Sequence, residues 1–320
     1  MARIDYTYED RKNPGNNYAG RMKFTPANFA YSLLCLNGKL SLHSSVQKVL
    51  SAFFTYFSDF TTNGHGKLRK KKIDIDAYDG IKKSTADIYG AAITVHVARS
   101  MFGLTHVFPI SDSMIPSKSG RRPDFIATDR IQYSLFESKA SINSVKSKAI
   151  NDGINQLNSV AYINLHGTIV NTFKEKVLVA TDLNHTGDHV CCGIIDPDEK
   201  GNIVIDFSLL DSLKDYYVFV KRIIDSNEHI TERRVSNKNV TLSRFKINEV
   251  IMEVGMITDL YECCERNELS LNAINYSLDF AEHIRNNQNK AGGLFRDGIY
   301  IKVQTKSDDY YDLINTDYEH

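Results

Sequence analysis

The order of periodic segments between residues 84 and 181 is the feature that most restricts how this chain can fold. Residues 84–103 carry helix boundary signals: serine and threonine at the start, an acid in the first turn and glycine at the end. Three short runs rich in β-branched and aromatic residues follow at residues 106–110, 124–128 and 131–139. The segment is therefore predicted to begin with a helix and three consecutive strands.

A second helix and a fourth strand are predicted next. Apolar residues recur at roughly helical spacing around Gly153 in residues 142–165. Residues 176–181 are short, β-branched and flanked by polar segments, which is typical of a buried strand. A hairpin is predicted from residues 189–195 and 203–207. This order of elements indicates an α/β fold.

The regions on either side have a different pattern. Residues 1–40 contain few periodic apolar residues and are predicted to form an irregular arm, whereas residues 42–57 are predicted to form a helix. Helical patterns return at residues 247–266 and 269–285. We divide the chain into an N-terminal accessory region (residues 1–83), a core (residues 84–219) and a mainly helical C-terminal accessory region (residues 220–320).

The charge of the chain is balanced. Lysine and arginine total 39, aspartate and glutamate also total 39, and the net charge is zero. A balanced chain has no overall attraction to nucleic acid or to an anionic membrane. Any such attraction must come from local basic patches.

The sequence also predicts where the protein works. It has no apolar run long enough to span a bilayer, and residues 1–17 lack the apolar segment of a secretory signal. The five cysteines are Cys35 and two adjacent pairs, which fit neither a disulfide framework nor a C-x-x-C zinc pattern. We expect a cytoplasmic protein with reduced thiols and no membrane contact.

Polar residues occupy the ends of two predicted neighbouring strands. Because side chains alternate along a strand, Glu137 and Lys139 share a face and Ser138 lies on the other. A tight turn near residues 129–130 would pair the strands and bring Asp124 close to Glu137. Two carboxylates and a backbone carbonyl form an oxygen-only site that suits Mg²⁺. A lysine beside them can hold or deprotonate a water molecule and offset developing negative charge.

These residues carry a family resemblance. Pro123-Asp124, twelve further residues and then Glu137-Ser138-Lys139 resemble the PD-(D/E)XK signature of restriction-endonuclease-like nucleases. The order of elements in residues 84–207 is similar to the αβββαβ core of that superfamily, which implies a mixed central sheet.

The resemblance implies roles for individual residues. Asp124, Glu137 and the main-chain carbonyl of Ser138 would bind Mg²⁺, with Mn²⁺ expected to substitute, and Lys139 would assist the attacking water. Gln156, from the following helix, matches a further catalytic position of many members. Tyr162 and an upstream acid, Asp87, are weaker matches.

DNA is the substrate that the resemblance implies, and basic residues near the motif are candidates for contacting it. Arg121 and Arg122 precede Asp124, and Lys146 and Lys148 follow the motif. The basic residues 67–72 could contact phosphates too, although a charge run of this kind is more often simply solvated. A homodimer or a regulatory protein partner also fits a nuclease of this size.

Alternative interpretations remain open at this level. Glu137 and Lys139 could form a solvated ion pair at a sheet end, and Gln156 could be a surface amide. The string HTGDHVCC, residues 185–192, offers histidine and cysteine for zinc, but neighbouring strand residues point to opposite faces. The function indicated is a metal-dependent DNA endonuclease, with restriction or antiviral defence suggested by analogy. The alternative is an inactive nuclease fold that binds nucleic acid or a protein.

Overall fold

The computed structural model describes most of the chain. The described residues are 3–36, 50, 53–54, 60–62, 67–70, 79–115, 122–142, 144–185, 189–197, 201–235, 237–247, 250–282 and 293–305. Arg121 and most of the helix predicted at residues 42–57 lie outside these ranges.

The described residues form six α-helices and sixteen β-strands. The helices are α1 (Pro26–Cys35), α2 (Asp79–Ser100), α3 (Ser147–Asn158), α4 (Leu209–Asp225), α5 (Thr258–Glu265) and α6 (Leu271–Glu282). The strands are β1 (Arg3–Asp10), β2 (Tyr18–Lys23), β3 (Phe60–Thr62), β4 (Leu68–Lys70), β5 (His106–Pro109), β6 (Phe125–Thr128), β7 (Tyr133–Ser141), β8 (Val160–Leu165), β9 (Thr168–Val170), β10 (Lys176–His185), β11 (His189–Asp196), β12 (Ile203–Asp206), β13 (Ile230–Val235), β14 (Lys238–Ile247), β15 (Val250–Ile257) and β16 (Ile299–Thr305).

A seven-stranded sheet forms the centre of the fold, in the order β2-β1-β11-β10-β7-β6-β5. Strands β5, β6 and β7 are antiparallel neighbours, and β10 runs parallel to β7 and antiparallel to β11. Strand β1 is parallel to β11, whereas β2 is antiparallel to β1. The α/β class and the mixed central sheet are therefore confirmed.

Helices cover both faces of the sheet at β7. Helix α2 packs closely because a glycine stands at the contact: a Cβ built on Gly90 would lie 2.3 Å from Ala140 Cβ. On the opposite face α3 packs with Gly153 against β7 and β10. Phe136 of β7 and Val179 of β10 have no exposed surface, and burial of such a side chain contributes about 1.5–3 kcal/mol to stability.

The N-terminal region differs from its prediction. Residues 3–36, expected to be irregular, form β1, β2 and α1. Only Ile4 and Asp10 of β1 are buried, so its local pattern is weak. Its place in the sheet comes from pairing with β11, which is distant in sequence and gives no local signal.

Two predictions in the second half of the core were also wrong. The helix predicted across residues 142–165 ends at Asn158, and β8 follows it directly. The predicted hairpin does not form, because β11 pairs with β10 while β12 pairs in parallel with β8. The chain passes so close here that a Cβ on Gly201 would lie 2.1 Å from the Ser159 carbonyl.

The described part of the C-terminal region is not mainly helical. Strands β13, β14, β15 and β16 form a four-stranded antiparallel sheet, with α5 and α6 beside it. The helix predicted to begin at residue 247 is wrong up to Ile257, because β15 is a nearly continuous apolar run, which periodicity alone cannot distinguish from a buried helix. The boundary predicted between residues 219 and 220 falls inside α4.

Within the described ranges, none of the helices combines the length and apolar character needed to cross a bilayer.

One carboxyl group at the edge of the core has an unusual pKa. Burial, reinforced by the neighbouring Asp196, raises the pKa of Glu175 from 4.5 to about 7. Lys12 Nζ lies 3.0 Å from Asp196 Oδ1 and favours the ionised form of Asp196. Glu175 therefore keeps its proton in the folded protein at a pH where the unfolded chain has lost it.

We predict that Glu175 makes the protein less stable as the pH rises from about 4.5 to about 7. In this window the unfolded state releases the proton and the folded state retains it, so the free energy of unfolding falls. Urea denaturation of Glu175→Gln across this range should show a shallower pH dependence than the wild type. The exposed Glu228→Gln variant is the control, and equal slopes for all three proteins would contradict the prediction.

Candidate active site

The first component of the site is Asp124, at the start of β6. Phe125 pairs with Phe136, so the register brings Asp124 beside the middle of β7. The Asp124 amide donates to the Phe136 carbonyl at 3.0 Å, and Asp124 Oδ2 accepts from the Ser138 amide at 2.9 Å. Main-chain contacts thus fix this carboxylate against β7.

The second component is the ion pair of Glu137 and Lys139 on one face of β7. Glu137 has no exposed surface, and Lys139 Nζ donates to its Oε1, while the Lys139 side chain remains 24% exposed. A solvated pair would leave both groups in water. The structure instead buries the carboxylate and leaves the lysine partly accessible, which excludes the interpretation as a fully solvated pair.

Gln156 of α3 connects these elements. Its Oε1 accepts from Lys139 Nζ at 2.7 Å, and its Nε2 donates to the Arg122 carbonyl at 2.9 Å. The amide therefore joins the lysine to the segment that precedes Asp124. This is not the arrangement of a solvated surface amide.

Gln156→Leu should reduce a Lys139-dependent activity without removing it. The variant keeps the side-chain volume but loses both hydrogen bonds, so Lys139 Nζ would retain Glu137 as a partner and become less well oriented. We expect about a tenfold loss of kcat, equivalent to one or two hydrogen bonds. Gln132→Leu, at an exposed position before β7, is the control. A cleavage rate for Gln156→Leu equal to the wild-type rate would show that the contact is only structural.

Close approach of α3 depends on Gly153. A Cβ at this position would lie 2.7 Å from Leu178 Cδ1 and 3.2 Å from both Glu137 Cγ and Lys139 Cε. The glycine lets the helix backbone lie directly over the ion pair. This contact helps to explain why Glu137, at the middle of β7, is buried.

Ser138 contributes to this site only through its main chain. Its hydroxyl lies on the α2 face, 3.3 Å from the position of a Cβ on Gly90. Glu137 and Lys139 lie on the α3 face, as alternation along β7 requires. The amide of Ser138 already orients Asp124, and its carbonyl is the group that the motif assigns to a metal ion.

The basic candidates are not gathered at one point. Lys146 and Lys148 are exposed at the start of α3. The Arg122 guanidinium is turned away to Asp112 and to the Ile110 carbonyl, where Nε donates at 3.3 Å. Arg121 and residues 71–72 of the basic loop lie outside the described residues.

Three other candidate residues lie on other elements of the fold. Lys67 pairs with Asp5 at 2.7 Å. Asp87 is exposed on α2, which packs on the opposite face of β7 from Glu137. Tyr162 lies on β8 rather than on a helix.

Sequence reasoning missed Asp182 of β10. Ala180 pairs with Lys139, and Asp182 pairs with Ser141. Asp182 Oδ1 accepts from the Val145 amide at 2.6 Å and so fixes the segment leading into α3. Alternation along β10 could have indicated this residue, because it places Asp182 two positions beyond the neighbour of Lys139.

A cavity of about 580 Å³ continues from this point along the same face of the sheet. Ala180, the pairing partner of Lys139, is among its lining residues. The cavity extends over β10, β11, β1 and β2, and its polar lining includes Asp5, Arg21, Asp182 and Cys191. A concave surface of this size beside the cluster of Asp124, Glu137, Lys139 and Gln156 is a candidate for ligand contact.

The donor atoms of the cluster are chemically suited to a hard divalent cation. Two carboxylates and a main-chain carbonyl are all oxygen donors. Among the described residues, no group of three or more histidine, cysteine, aspartate or glutamate side chains could hold a metal. A metal ion bound here would therefore need ligands from the main chain and from solvent in addition to Asp124 and Glu137.

The alternative zinc site at residues 185–192 has two parts. The side chains of His185 and His189 lie outside the described ones, and Cys191 and Cys192 alternate across β11.

No protein-family model, curated protein or solved structure matches this chain.

Proposed function

We propose that this protein is a metal-dependent endonuclease that hydrolyses DNA phosphodiester bonds. The observation that carries the proposal is the connected cluster on one face of β7: buried Glu137, its partner Lys139, and Gln156 bridging Lys139 to the segment before Asp124. Burial of the Glu137 carboxylate costs free energy that pairing with the partly exposed Lys139 only offsets, so the pair is better explained by a functional role than by a contribution to stability.

The arrangement of elements supports the same proposal. Strands β5, β6 and β7 form an antiparallel meander, and after α3 the chain reaches β10, which is parallel to β7. Helix α2 precedes the meander and covers the other face. This is the order expected of a PD-(D/E)XK core, with β8 and β9 inserted between α3 and β10.

The residues have distinct tasks in this proposal. Asp124, Glu137 and the Ser138 carbonyl would hold Mg²⁺, which supplies Lewis-acid activation of the phosphodiester and of water when bound. Lys139 holds a water molecule for attack and offsets negative charge that develops on the phosphate. Gln156 keeps Lys139 Nζ beside the Glu137 carboxylate. The exposed Lys146 and Lys148 contact the DNA backbone.

Incubation of the purified protein with plasmid, linear duplex and single-stranded DNA tests this proposal. We expect cleavage with Mg²⁺ or Mn²⁺ and none in EDTA. Ca²⁺ should support DNA binding without turnover, because it accepts looser and larger coordination than Mg²⁺. Equal cleavage in EDTA would exclude the proposed chemistry. DNA binding without cleavage under any of these metals would favour the inactive binding scaffold.

A further inference from the structure

A second cavity lies on the opposite side of the sheet from the candidate active site. Its volume is about 510 Å³, and it is formed by the end of β2, the first turn of α1, the last turn of α2 and residues 293–296. Glu137 and Lys139 face α3, whereas this cavity is formed by the α2 side. Tyr6 and Arg21 line both cavities, but the second cavity contains none of Asp124, Glu137, Lys139 and Gln156.

The described lining of this cavity contains basic side chains and no acidic ones. The basic residues are Arg21, Lys23, Arg99 and Arg296. Arg21 is paired with Asp5 at 3.3 Å, so the charge argument rests mainly on Lys23 and Arg99. A concave surface with such a lining attracts anions.

Arg99 is held in the cavity wall by aromatic rings. Its guanidinium carbon lies 3.6 Å from the centre of the Tyr31 ring and 4.7 Å from the centre of the Phe295 ring. Its buried Nε has no hydrogen-bond partner among the described residues. Stacking thus orients the guanidinium, whose fork matches a planar or tetrahedral anion, and leaves Nε without a partner.

The nearest acid does not use these donors. Asp297 has no exposed surface, and its Oδ2 accepts from the hydroxyls of Tyr31 and Tyr216. It offsets part of the Arg99 charge from the interior, which makes burial of the arginine tolerable. Asp297 does not line the cavity.

Two further groups line the cavity, and only the second adds positive potential. The His96 ring donates from Nε2 to the Lys23 carbonyl at 2.6 Å, and burial lowers the pKa of His96 to about 4, so the ring is neutral near pH 7. The first turn of α1 also faces the cavity, capped by Thr25 Oγ1 at 3.1 Å from the Asn28 amide. The positive end of that helix dipole adds to the attraction.

We propose that this cavity binds a small phosphate-bearing molecule of nucleotide size, with Arg99 as its central contact. The volume falls in the usual range of small-molecule sites. The phosphate would contact Arg99 and Lys23. This site is independent of the nuclease proposal, because it shares none of the residues of that cluster.

Calorimetric titration of the full-length protein with ATP, AMP, pyrophosphate and citrate tests this inference. We expect saturable binding of at least one phosphate compound and weaker binding of citrate, which separates phosphate from carboxylate recognition. Arg99→Lys preserves a positive charge beside Asp297 but loses the forked guanidinium, and should weaken binding about tenfold. Lys23→Gln should weaken it several-fold. Arg222→Gln, at an exposed position on α4 outside the cavity, should have no effect.

The same titrations would also show whether the inference is wrong and whether the cavity is separate from the DNA site. Absence of binding by all three phosphate compounds at millimolar concentration would refute it, as would affinity unchanged in both Arg99→Lys and Lys23→Gln. Displacement of bound ATP by a short DNA duplex would show that the cavity belongs to the DNA path. Binding that persists in Glu137→Gln would show that it does not depend on the cleavage site.

Discussion

Replacement of Lys139 by methionine is expected to abolish DNA cleavage and, in EDTA, to lower the free energy of unfolding by about 3 kcal/mol. The methionine keeps the length of the apolar stem but removes the ammonium group that is paired with fully buried Glu137. The carboxylate would then keep its desolvation cost without its paired cation. Urea denaturation and a plasmid cleavage assay measure the two effects.

Divalent cations should separate this stability effect from catalysis. Mg²⁺ bound at Asp124 and Glu137 would restore part of the stability of Lys139→Met, because a ligand that binds only the folded state stabilises it. It should not restore cleavage. Glu137→Gln should lose cleavage and show no stabilisation by Mg²⁺, since the variant lacks one of the two acids.

The double variant provides the internal check. Glu137→Gln combined with Lys139→Met leaves no buried charge, so the pair should be less destabilised than the sum of the single variants. The exposed Lys246→Met variant, on β14, controls for loss of a lysine. A Lys139→Met protein as stable as the wild type in EDTA, or one that still cleaves DNA, would disprove the role assigned to the pair.

Gly90→Ala is expected to destabilise the protein by about 2 kcal/mol, although alanine is the better helix former by about 1 kcal/mol. The added methyl group would lie 2.3 Å from Ala140 Cβ, and a Cβ atom cannot rotate away as a longer side chain would. Helix α2 would have to move away from β7. Because Ala140 follows Lys139, cleavage should fall as well.

Removal of the opposing methyl group should reverse the effect. Ala140→Gly in the Gly90→Ala background restores the space, so thermal and urea denaturation should show a favourable coupling between the two changes. Gly15→Ala is the matched control, because nothing lies within 4 Å of a Cβ there. Destabilisation of Gly90→Ala that persists unchanged in the double variant would show that the two residues do not limit the helix–sheet distance.

Local periodicity was sufficient to predict the strands that position the candidate site residues. The two-residue repeat of β7 placed Glu137 and Lys139 on one face, and the turn before it indicated that Asp124 would lie nearby. These contacts involve neighbouring elements, so short-range pattern contains the information. Gln156 was predicted only from the family resemblance, and its contact with Lys139 joins α3 to β7.

Local sequence patterns could not predict the contacts between segments that are distant in sequence. Pairing of β12 with β8 depends on a close approach at Gly201 that no local repeat reveals. Strand β15 is almost entirely buried, so it lacks the alternation that distinguishes a strand from a helix. The roles of Asp182 and of Arg99 depend on neighbours supplied by other elements.

Parallel pairing of β1 with β11 has a consequence for biosynthesis. Asp5 aligns with Cys191, and everything from α1 to β10 is translated between them. At usual rates of synthesis, β1 therefore waits on the order of ten seconds or more before its partner leaves the ribosome. Until then the hydrogen-bonding edge of β1 is open to incorrect partners, and such long-range pairing also slows folding. We expect newly made chains to need protection by a chaperone during this interval, and the yield of folded protein to fall when synthesis outpaces that protection.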